Sequence, residues 1–527
     1  MNPNTYTVSH LSDILLDSIE KIKSFDSDEN ISVNPVVAEV ATWYEKLRNA
    51  MAYKEDEVIL RAAIERILNR RLILGAGSGE TLARPLIREL AWARYFPDLS
   101  IPEALVHQVE HSIDLHLELQ RRVISRHSFN GSLAYEWILE LLSSDIENIL
   151  NLRKEKDLLA NFMFQIFKDK VFIEDDSEET RDAQVYIAVR RSFCKEDLAF
   201  LRFHLFIQFF GKLSSQNLDQ VSEYFPKITK KIDFQLKYKL KDRVFSYIRN
   251  QTAPFFILED LIKKYKADLR SLTLDQDSFD AAVMSACSNR YKDILTKVQR
   301  AIVRSVIFIF VTKVVFALAA ESSFESLIYG SVSWFAIAIN TLMSPLLMII
   351  VSIFIKTPDK DNSKKILEMV HEILFSANPN LNRRLVLSVN PKQSRPLLPA
   401  IFSMLWLVAL LLGIWGINSG LNLMHFNLVS KCLFIFFLMI VSFLSYRINQ
   451  TAKIYTVKVE KESFWSVLFD FLFMPFIQMG RTFTLGMSKI NIFLFIFDFI
   501  IETPFKGIFA FFEHWFLYLR TQRESLD

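Results

Sequence analysis

Four long apolar stretches in the C-terminal half constrain the fold of this chain more than any other feature. A helix needs roughly 20 consecutive apolar residues to cross the hydrocarbon core of a bilayer, and each stretch reaches that length. Buried helices of a large soluble protein are the alternative, but four such stretches between residues 301 and 446 are far more than a soluble domain carries. The sequence therefore predicts four transmembrane helices, with the lipid bilayer as a partner, at residues 301–320, 327–355, 397–417 and 426–446.

The rest of the composition favours an all-α protein. Hydrophobic residues make up 51% of the chain and the mean hydropathy is +0.20, which is high for a soluble protein. The 527 residues include 12 glycines, roughly 2% against a usual share of about 7%. Sheets with many tight turns need more of them. We therefore predict an all-α fold in which an N-terminal helical cytoplasmic domain, residues 1–300, joins a polytopic α-helical membrane domain, residues 301–447.

Amphipathic helical patterns fill most of the N-terminal domain. Ser100 and Glu103 have the spacing of a capping box, which predicts that a helix begins there. An acidic run at residues 174–182 predicts a solvated loop that would divide the domain into two lobes. The helical pattern of residues 276–304 continues into the first span. It predicts a single helix that joins the two domains rigidly.

Charges beside the apolar stretches predict the orientation of the chain. The loop 356–396 carries eight lysines and arginines against four acids, whereas residues 418–425 contain neither lysine nor arginine. Basic loops of membrane proteins stay on the cytoplasmic side. We therefore expect both termini and the loop 356–396 in the cytoplasm, with the protein in a plasma or inner membrane.

Residues 448–527 are rich in aromatic side chains and combine apolar stretches with charges. Residues 464–479 are short for a span, and residues 491–519 are longer but carry Asp498 and Glu502 in one polar stripe. A helix of this kind fits the membrane interface, with its stripe towards water. The alternative is a spanning helix whose stripe faces a bundle interior or pore. We predict interfacial or re-entrant helices in this region.

Lys313 lies in the middle of the first predicted span, where an ionisable side chain costs at least ~2.5 kcal/mol. It should therefore face protein or water and find a polar partner. Asn340 of the second span is the neighbour that we expect, whereas Glu321 is predicted to lie too far along the helix. In the functional interpretation Lys313 lines an ion or substrate path. The alternative is a lysine that snorkels to the interface or only packs helices.

A glycine-rich turn, GAGSGE at residues 75–80, raises the question of a nucleotide site. A dinucleotide-binding fold requires a preceding strand, and a third glycine where this chain has Glu80. The upstream apolar residues repeat at helical spacing instead, and no Walker lysine follows. We interpret the segment as a hinge between two helices and expect no cofactor. The second helix should start at Ser78 or Thr81, with Pro85 near its first turn.

The segment HQVEH, residues 107–111, matches the pattern H-x-x-E-H. In this pattern two histidines one helical turn apart hold zinc and the glutamate acts as a base, and Asp114 adds an oxygen on the same face. Over this segment alone the chain resembles the insulinase-like metalloproteases. The resemblance implies His107 and His111 as zinc ligands and Glu110 as the base. That family also requires a distal glutamate in a mixed α/β domain, which this helical half does not offer, and the alternative is the polar face of an amphipathic helix.

No set of residues assembles into a recognisable active site, so we predict a protein that is not an enzyme. The 62 basic and 59 acidic residues nearly balance, which gives no reason to expect nucleic-acid binding. The favoured function is a membrane-anchored interaction or scaffold protein whose helical domain binds a cytosolic protein. The alternative is an ion channel or transporter that uses Lys313 and the Asp498/Glu502 stripe. A zinc metallohydrolase at residues 107–111 is the third hypothesis.

Overall fold

The computed structural model of the chain is predominantly helical, which confirms the all-α prediction. Outside the helices, short strands and turns account for the rest of the described chain. The structure describes residues 8–21, 30–32, 58–73, 77–96, 100–127, 131–150, 154–330, 334–379, 384–389, 397–423, 426–457 and 464–489, and the single residues 39, 42, 45, 511, 515 and 518.

Helices follow one another through the N-terminal half, with short connections. Most are amphipathic, and their apolar faces turn inward to form the core. In chain order, the helices described are α1 (His10–Glu20), α2 (Ile59–Ile73), α3 (Gly79–Trp92), α4 (Glu103–His127), α5 (Gly131–Leu150), α6 (Lys154–Phe167), α7 (Glu178–Val189), α8 (Leu198–Phe210), α9 (Leu218–Leu236), α10 (Lys241–Arg249), α11 (Ala253–Tyr265) and α12 (Leu269–Leu272).

The C-terminal half consists of longer and more apolar helices. A five-residue π-helical segment, Ala317–Glu321, interrupts the first of them near its end. In chain order, the helices described are α13 (Gln276–Phe316), α14 (Ser322–Tyr329), α15 (Trp334–Ile353), α16 (Lys360–Phe375), α17 (Leu397–Leu423), α18 (Leu428–Ala452) and α19 (Phe464–Lys489).

Two short strand pairs connect distant parts of the chain. β1 (Asn30–Ser32) pairs antiparallel with β2 (Ser100–Pro102). β3 (Val171–Glu174) pairs in parallel with β4 (Leu385–Ser388). Because β4 belongs to the connection between α16 and α17, the second pair fastens that connection to the N-terminal half.

One local prediction for the N-terminal half is corrected, and the division into two lobes at residues 174–182 stays a prediction. The helix expected from the capping box at Ser100 starts only at Glu103, because the residues before it form β2. The acidic run at 174–182 contains only a short turn, after which Ser177 caps α7 by accepting a hydrogen bond from the Thr180 backbone N–H at 3.2 Å. Buried residues of α6 and α7, on either side of the run, belong to the same core.

One continuous helix joins the two halves, as the sequence predicts. α13 has 41 residues, which corresponds to a length of about 60 Å. Its first part contributes Phe279 and Cys287 to the core of the N-terminal half, and its last part carries Lys313 between apolar helices. The same core continues through Ile309 to Phe437 of α18. The two halves therefore share a packed interior.

The four predicted spans are supported only in part. Among the described residues, three helices are long and apolar enough to cross a membrane: Gln276–Ile328, Ala400–Leu423 and Leu428–Ala452. The predicted second span, 327–355, is broken at Gly330, whose φ of +66° ends α14 in a left-handed cap that glycine adopts without steric cost. The apolar helix after this break is shorter than expected.

The helix predicted at 464–479 is longer than its apolar stretch, because α19 continues to Lys489. It lies against α17 and α18 near the middle of both. A Cβ atom on Gly480 would stand 2.1 Å from the carbonyl oxygen of Met439, and one on Gly413 would stand 2.8 Å from the Phe476 ring. Small residues of this kind let two helix backbones approach closely.

Candidate functional site

A network of buried polar side chains lies between α13, α15 and α18. Lys313 comes from α13, Glu321 ends the π-helical segment, Asn340 and Ser344 lie one turn apart on α15, and Ser430 lies in the first turn of α18. All five are at most 1% exposed. Buried polar groups in apolar surroundings need hydrogen-bond partners. These five side chains mainly hydrogen-bond to one another.

The ammonium of Lys313 is held by neutral oxygens and by aromatic rings. Its Nζ donates to Asn340 Oδ1 at 3.0 Å and to Ser344 Oγ at 2.7 Å. The rings of Phe434 and Phe437 lie with their centroids 5.4 and 5.3 Å from the same Nζ, within the range of a cation–π interaction. The charge is therefore solvated by protein rather than by water.

The carboxylate of Glu321 is solvated on one oxygen only. Its Oε1 accepts hydrogen bonds from Asn340 Nδ2 at 3.1 Å and from the Ser430 hydroxyl. Its Oε2 is buried without a hydrogen-bond partner among the described residues. Asn340 Nδ2 also donates to the Ser430 carbonyl at 3.2 Å. This amide of α15 therefore contacts both α18 and the π-helical segment Ala317–Glu321, which we call the α13 extension.

A second acid extends the network towards the connection between α14 and α15. Glu325 lies four residues after Glu321, is also buried, and accepts a hydrogen bond from Asn427 Nδ2. Asn427 in turn caps α18 by accepting from the Ser430 backbone N–H at 2.8 Å. The polar line thus runs from the end of α14 to the level of Lys313.

The two opposite charges share one amide and do not touch. Asn340 presents its carbonyl to Lys313 and its NH₂ group to Glu321, which matches an ionised lysine and an ionised carboxylate. In a medium of low dielectric constant the attraction between such charges is strong, but so is the penalty for removing each from water. The arrangement can hold two opposite charges that are joined through one neutral amide.

The sequence identified part of this network. Asn340 is the neighbour of Lys313 that the spacing suggests, whereas Glu321, expected to lie too far away, reaches the same amide. Glu321 ends a π-helical segment that was not predicted from the sequence. The signal available was the spacing of Lys313, Glu321 and Glu325, which are eight and then four residues apart and so lie on one face of a regular helix.

The other candidate residues of the C-terminal half cannot be compared with the structure. Asp498 and Glu502, which the sequence places in a polar stripe, lie outside the described residues.

The HQVEH segment and the glycine turn are the two sides of one helix contact. Gly79 begins α3 against α4, where an added Cβ would stand 2.2 Å from the carbonyl oxygen of Glu110. Asp114, counted above as a metal ligand, instead accepts from the Gly79 backbone N–H at 2.7 Å and so caps α3. The N-cap of α3 is Ser78, one of the two residues at which we expect the helix to start. Pro85, expected near the first turn, lies in the second turn.

The geometry around HQVEH gives no support to a zinc site. His107 Nδ1 lies 2.9 Å from Glu110 Oε2 on the exposed face of α4, and His111 is exposed as well. In the part of the chain that the structure describes, no group of three or more His, Cys, Asp or Glu residues is arranged to hold a metal ion.

The buried cysteines are poor nucleophiles. Burial raises the pKa of Cys194 to about 12 and that of Cys287 to about 11. Both thiols therefore stay protonated at neutral pH, and the thiolate is the reactive form. Arg190, beside Cys194, is paired with Asp157 at 2.7 Å and Glu196 at 3.1 Å, which makes this cluster a buried ion network of the core.

A cleft of ≈ 330 Å³ opens between α11 and α13 on the N-terminal half. Arg290 lines this cleft. Its guanidinium already pairs with Asp260 at 2.5 Å and donates to the Tyr455 hydroxyl at 3.1 Å. We assign no ligand to it. The comparisons with protein-family models, with curated proteins and with solved structures give no match to this chain.

Proposed function

We propose that this is an integral membrane protein in which a charged site between the spans is coupled to a cytoplasmic helical domain, and that it acts as a channel or transporter. The membrane part of the proposal is supported by the three long apolar helices and by their exposed apolar side chains. Val303, Ile307 and Val311 of α13 are examples, and they follow the exposed Arg300. Apolar side chains that face lipid need no protein cover.

Contacts on the side of the N-terminal half support a fourth crossing. The connection after α15 is fastened to that half by β3–β4, and Asn362 at the start of α16 donates to Tyr291 of α13 at 2.7 Å. The chain therefore returns to its starting side between α13 and α16, which requires α15 to cross as well. Its 20 residues correspond to about 30 Å, the thickness of a hydrocarbon core.

The single observation that carries the transport proposal is the Lys313–Asn340–Glu321 network. Ionisable side chains within spans are rare, face the bundle interior or a water-filled cavity, and mark ion or substrate paths. Here opposite charges are buried between three helices and joined by one amide. A site so arranged can change its charge state and its helix contacts together.

Coupling to the cytoplasmic domain follows from the helix that carries Lys313. α13 contributes both to the network and to the core around Phe279 and Val283. The end of α18 is attached as well, because Val457 N–H donates to Asn362 Oδ1 at 2.8 Å. Movement of α13 would therefore be transmitted between the membrane and the cytoplasmic domain without a flexible linker.

A membrane-anchored scaffold is the second candidate, and the tight burial of the network favours it. Side chains with almost no exposed surface leave no open path, so the same hydrogen bonds can act as a fixed lock between α13, α15 and α18. The working part would then be the helical domain, bound to a cytosolic protein.

Flux measurements separate the two candidates. We expect proteoliposomes with the wild-type protein to pass Na⁺, K⁺, Cl⁻ or protons above the level of empty liposomes, and Lys313→Met to reduce that flux at least tenfold. Lys431→Met is the matched control, because Lys431 is on α18 but hydrogen-bonds to Asn422 outside the network. Wild-type protein that is folded and passes none of these ions would refute the transport proposal and favour the scaffold.

A further inference from the structure

Glu321 is the least satisfied charged group of the network. Both donors to its Oε1, Asn340 and Ser430, are neutral, and its Oε2 is fully buried with no donor among the described residues. Buried carboxylates are ordinarily stabilised by several donors or by a direct cation. The π-helical segment that ends at Glu321 is a second feature of the site. The described chain contains another such segment at Arg190–Cys194 in the N-terminal half, and π-helical segments occur frequently at functional sites.

Few other ionisable groups face Glu321. On its own helix these are Lys313, which is bound to Asn340 and Ser344, and Glu325, which would repel a second negative charge. The sequence of α15 contains no ionisable side chain. On α18 the nearest in sequence is Lys431, whose ammonium donates to Asn422.

We infer that Glu321 is a proton-binding site, and that the ion coupled to the function proposed above is the proton. This inference rests on that proposed function. In the step, a hydronium ion gives its proton to Oε2: one O–H bond of hydronium breaks and leaves a water molecule, and one O–H bond forms on the carboxylate, which becomes a neutral carboxylic acid. Asn340 and Ser430 then lose their charged acceptor. The Asn340 amide still binds Lys313, but it no longer joins Lys313 to a negative charge.

Protonation would therefore loosen the contacts between the helices. Hydrogen bonds to a charged acceptor are about twice as strong as neutral ones. Asn340 and Ser430 make two such bonds, and these connect the α13 extension to α15 and α18. Neutralising the Glu321 carboxylate would weaken both bonds. The helices around Glu321 could then rearrange, which is the event that a proton-coupled carrier needs.

The packing favours a proton over a metal cation. Metal cations bound through oxygen take about six or more ligands, and the nearby oxygens of Asn340 and Ser344 are already occupied by the Lys313 ammonium. Glu321, Lys313 and the three neutral side chains that bind them have at most 1% exposed surface. A proton adds no volume and needs only the one free oxygen of Glu321.

Infrared difference spectroscopy of the full-length protein in liposomes tests the site directly. We expect acidification to produce the carbonyl stretch of a protonated, buried carboxylic acid, and Glu321→Gln to abolish it. Glu325→Gln removes the neighbouring carboxyl and should leave the band in place, which assigns it to one residue. In parallel, a pH-sensitive dye inside the liposomes should report proton uptake that Glu321→Gln reduces at least tenfold.

The outcomes distinguish this inference from the proposed function. A band that persists in Glu321→Gln, or flux of Na⁺, K⁺ or Cl⁻ that Glu321→Gln leaves unchanged, overturns the proton site and leaves transport standing. If no ion crosses the wild-type membrane, transport fails, while the infrared band still decides whether Glu321 binds a proton. If Glu321→Gln does not fold, Lys313→Met/Glu321→Gln, which removes both charges together, replaces it in the infrared measurement, with Lys313→Met alone as its control.

Discussion

Asn340 is the residue on which the buried network depends, because its amide serves both charges. Replacing it with leucine removes the bonds to Lys313, Glu321 and the Ser430 carbonyl. Hydrogen bonds to charged groups contribute ~1.5–3 kcal/mol each in soluble proteins, but bonds between membrane helices average only ~0.6 kcal/mol. We therefore expect Asn340→Leu to lower the free energy of unfolding by about 2 kcal/mol, measured by denaturant titration in detergent micelles.

Thr341 provides the matched control for this prediction. It is the next residue on α15 and is buried, but its hydroxyl has no hydrogen-bond partner among the described residues. Thr341→Val keeps the shape and removes an unsatisfied group, so it should change the free energy of unfolding by less than about 0.5 kcal/mol or raise it. A Thr341→Val loss as large as that of Asn340→Leu would show that general packing, and not the shared amide, stabilises this region.

His116 makes the stability of the N-terminal half depend on pH. It is buried in α4, and Nδ1 lies 2.8 Å from the Ser112 carbonyl, a geometry that requires Nδ1 to carry the proton. Burial lowers the pKa of His116, and the nearby Asp145 carboxylate opposes this effect only in part. Below about pH 6.5 the imidazole of His116 is therefore protonated in the unfolded chain, whereas it stays neutral in the folded chain until the pH is lower. Stability is complete above that pH and should fall as the pH drops towards the lowered pKa of the folded state.

The measurement is the change in Tm between about pH 8 and about pH 5.5, the range in which an ordinary histidine titrates. We expect the Tm of the wild type to fall further over this pH range than the Tm of His116→Asn, because asparagine keeps an amide donor but cannot become charged. His107→Asn, on the exposed face of the same helix, should behave like the wild type. Equal losses for the wild type and His116→Asn would assign the pH dependence to other groups.

At the scale of elements, the contact between α3 and α4 depends on the missing side chain of Gly79. A Cβ atom there would overlap the backbone carbonyl of Glu110, so the two helices would have to move apart. We expect Gly79→Ala to destabilise the protein by about 1–3 kcal/mol, as overpacking does elsewhere. Gly77→Ala is the control, since a Cβ at Gly77 meets no atom within 4 Å. Comparable Tm values for the two variants would contradict this account of the turn.

Most helices could be predicted from the sequence, whereas their interruptions could not. Helix positions follow from apolar periodicity, which is local, and α13 continues from one half to the other because its pattern has no glycine or proline. The π-helical segment, β2 and the contact between Asp114 and Gly79 depend on partners far along the chain. The same limit explains Glu321: on a regular helix it is two turns from Lys313, and only Asn340 of another helix brings them into one network.

At the scale of the whole molecule, the side of the membrane on which each connection lies follows from packing as well as from charge. Asn362, near the start of α16, is bonded to Tyr291 of α13 and to Tyr455 and Val457 after α18, and β4 is paired with β3 of the N-terminal half. These contacts place both connections beside the N-terminal half. In the topology that we propose, an even number of crossings precedes each one, and α13, α15, α17 and α18 are the helices that cross.

Cysteine labelling tests this arrangement. After replacement of Cys194, Cys287 and Cys432 by serine, a single cysteine at Lys364 on α16 should react with a membrane-impermeant thiol reagent only from the cytoplasmic face. A cysteine at Leu327, which is 86% exposed, or at Gly420, where added atoms meet no neighbour, should react only from the opposite face. Labelling of Leu327→Cys from the cytoplasmic face would mean that α13 does not cross. Lys313 and Glu321 would then lie outside the bilayer, and the physical reason for treating their network as a transport site would be lost.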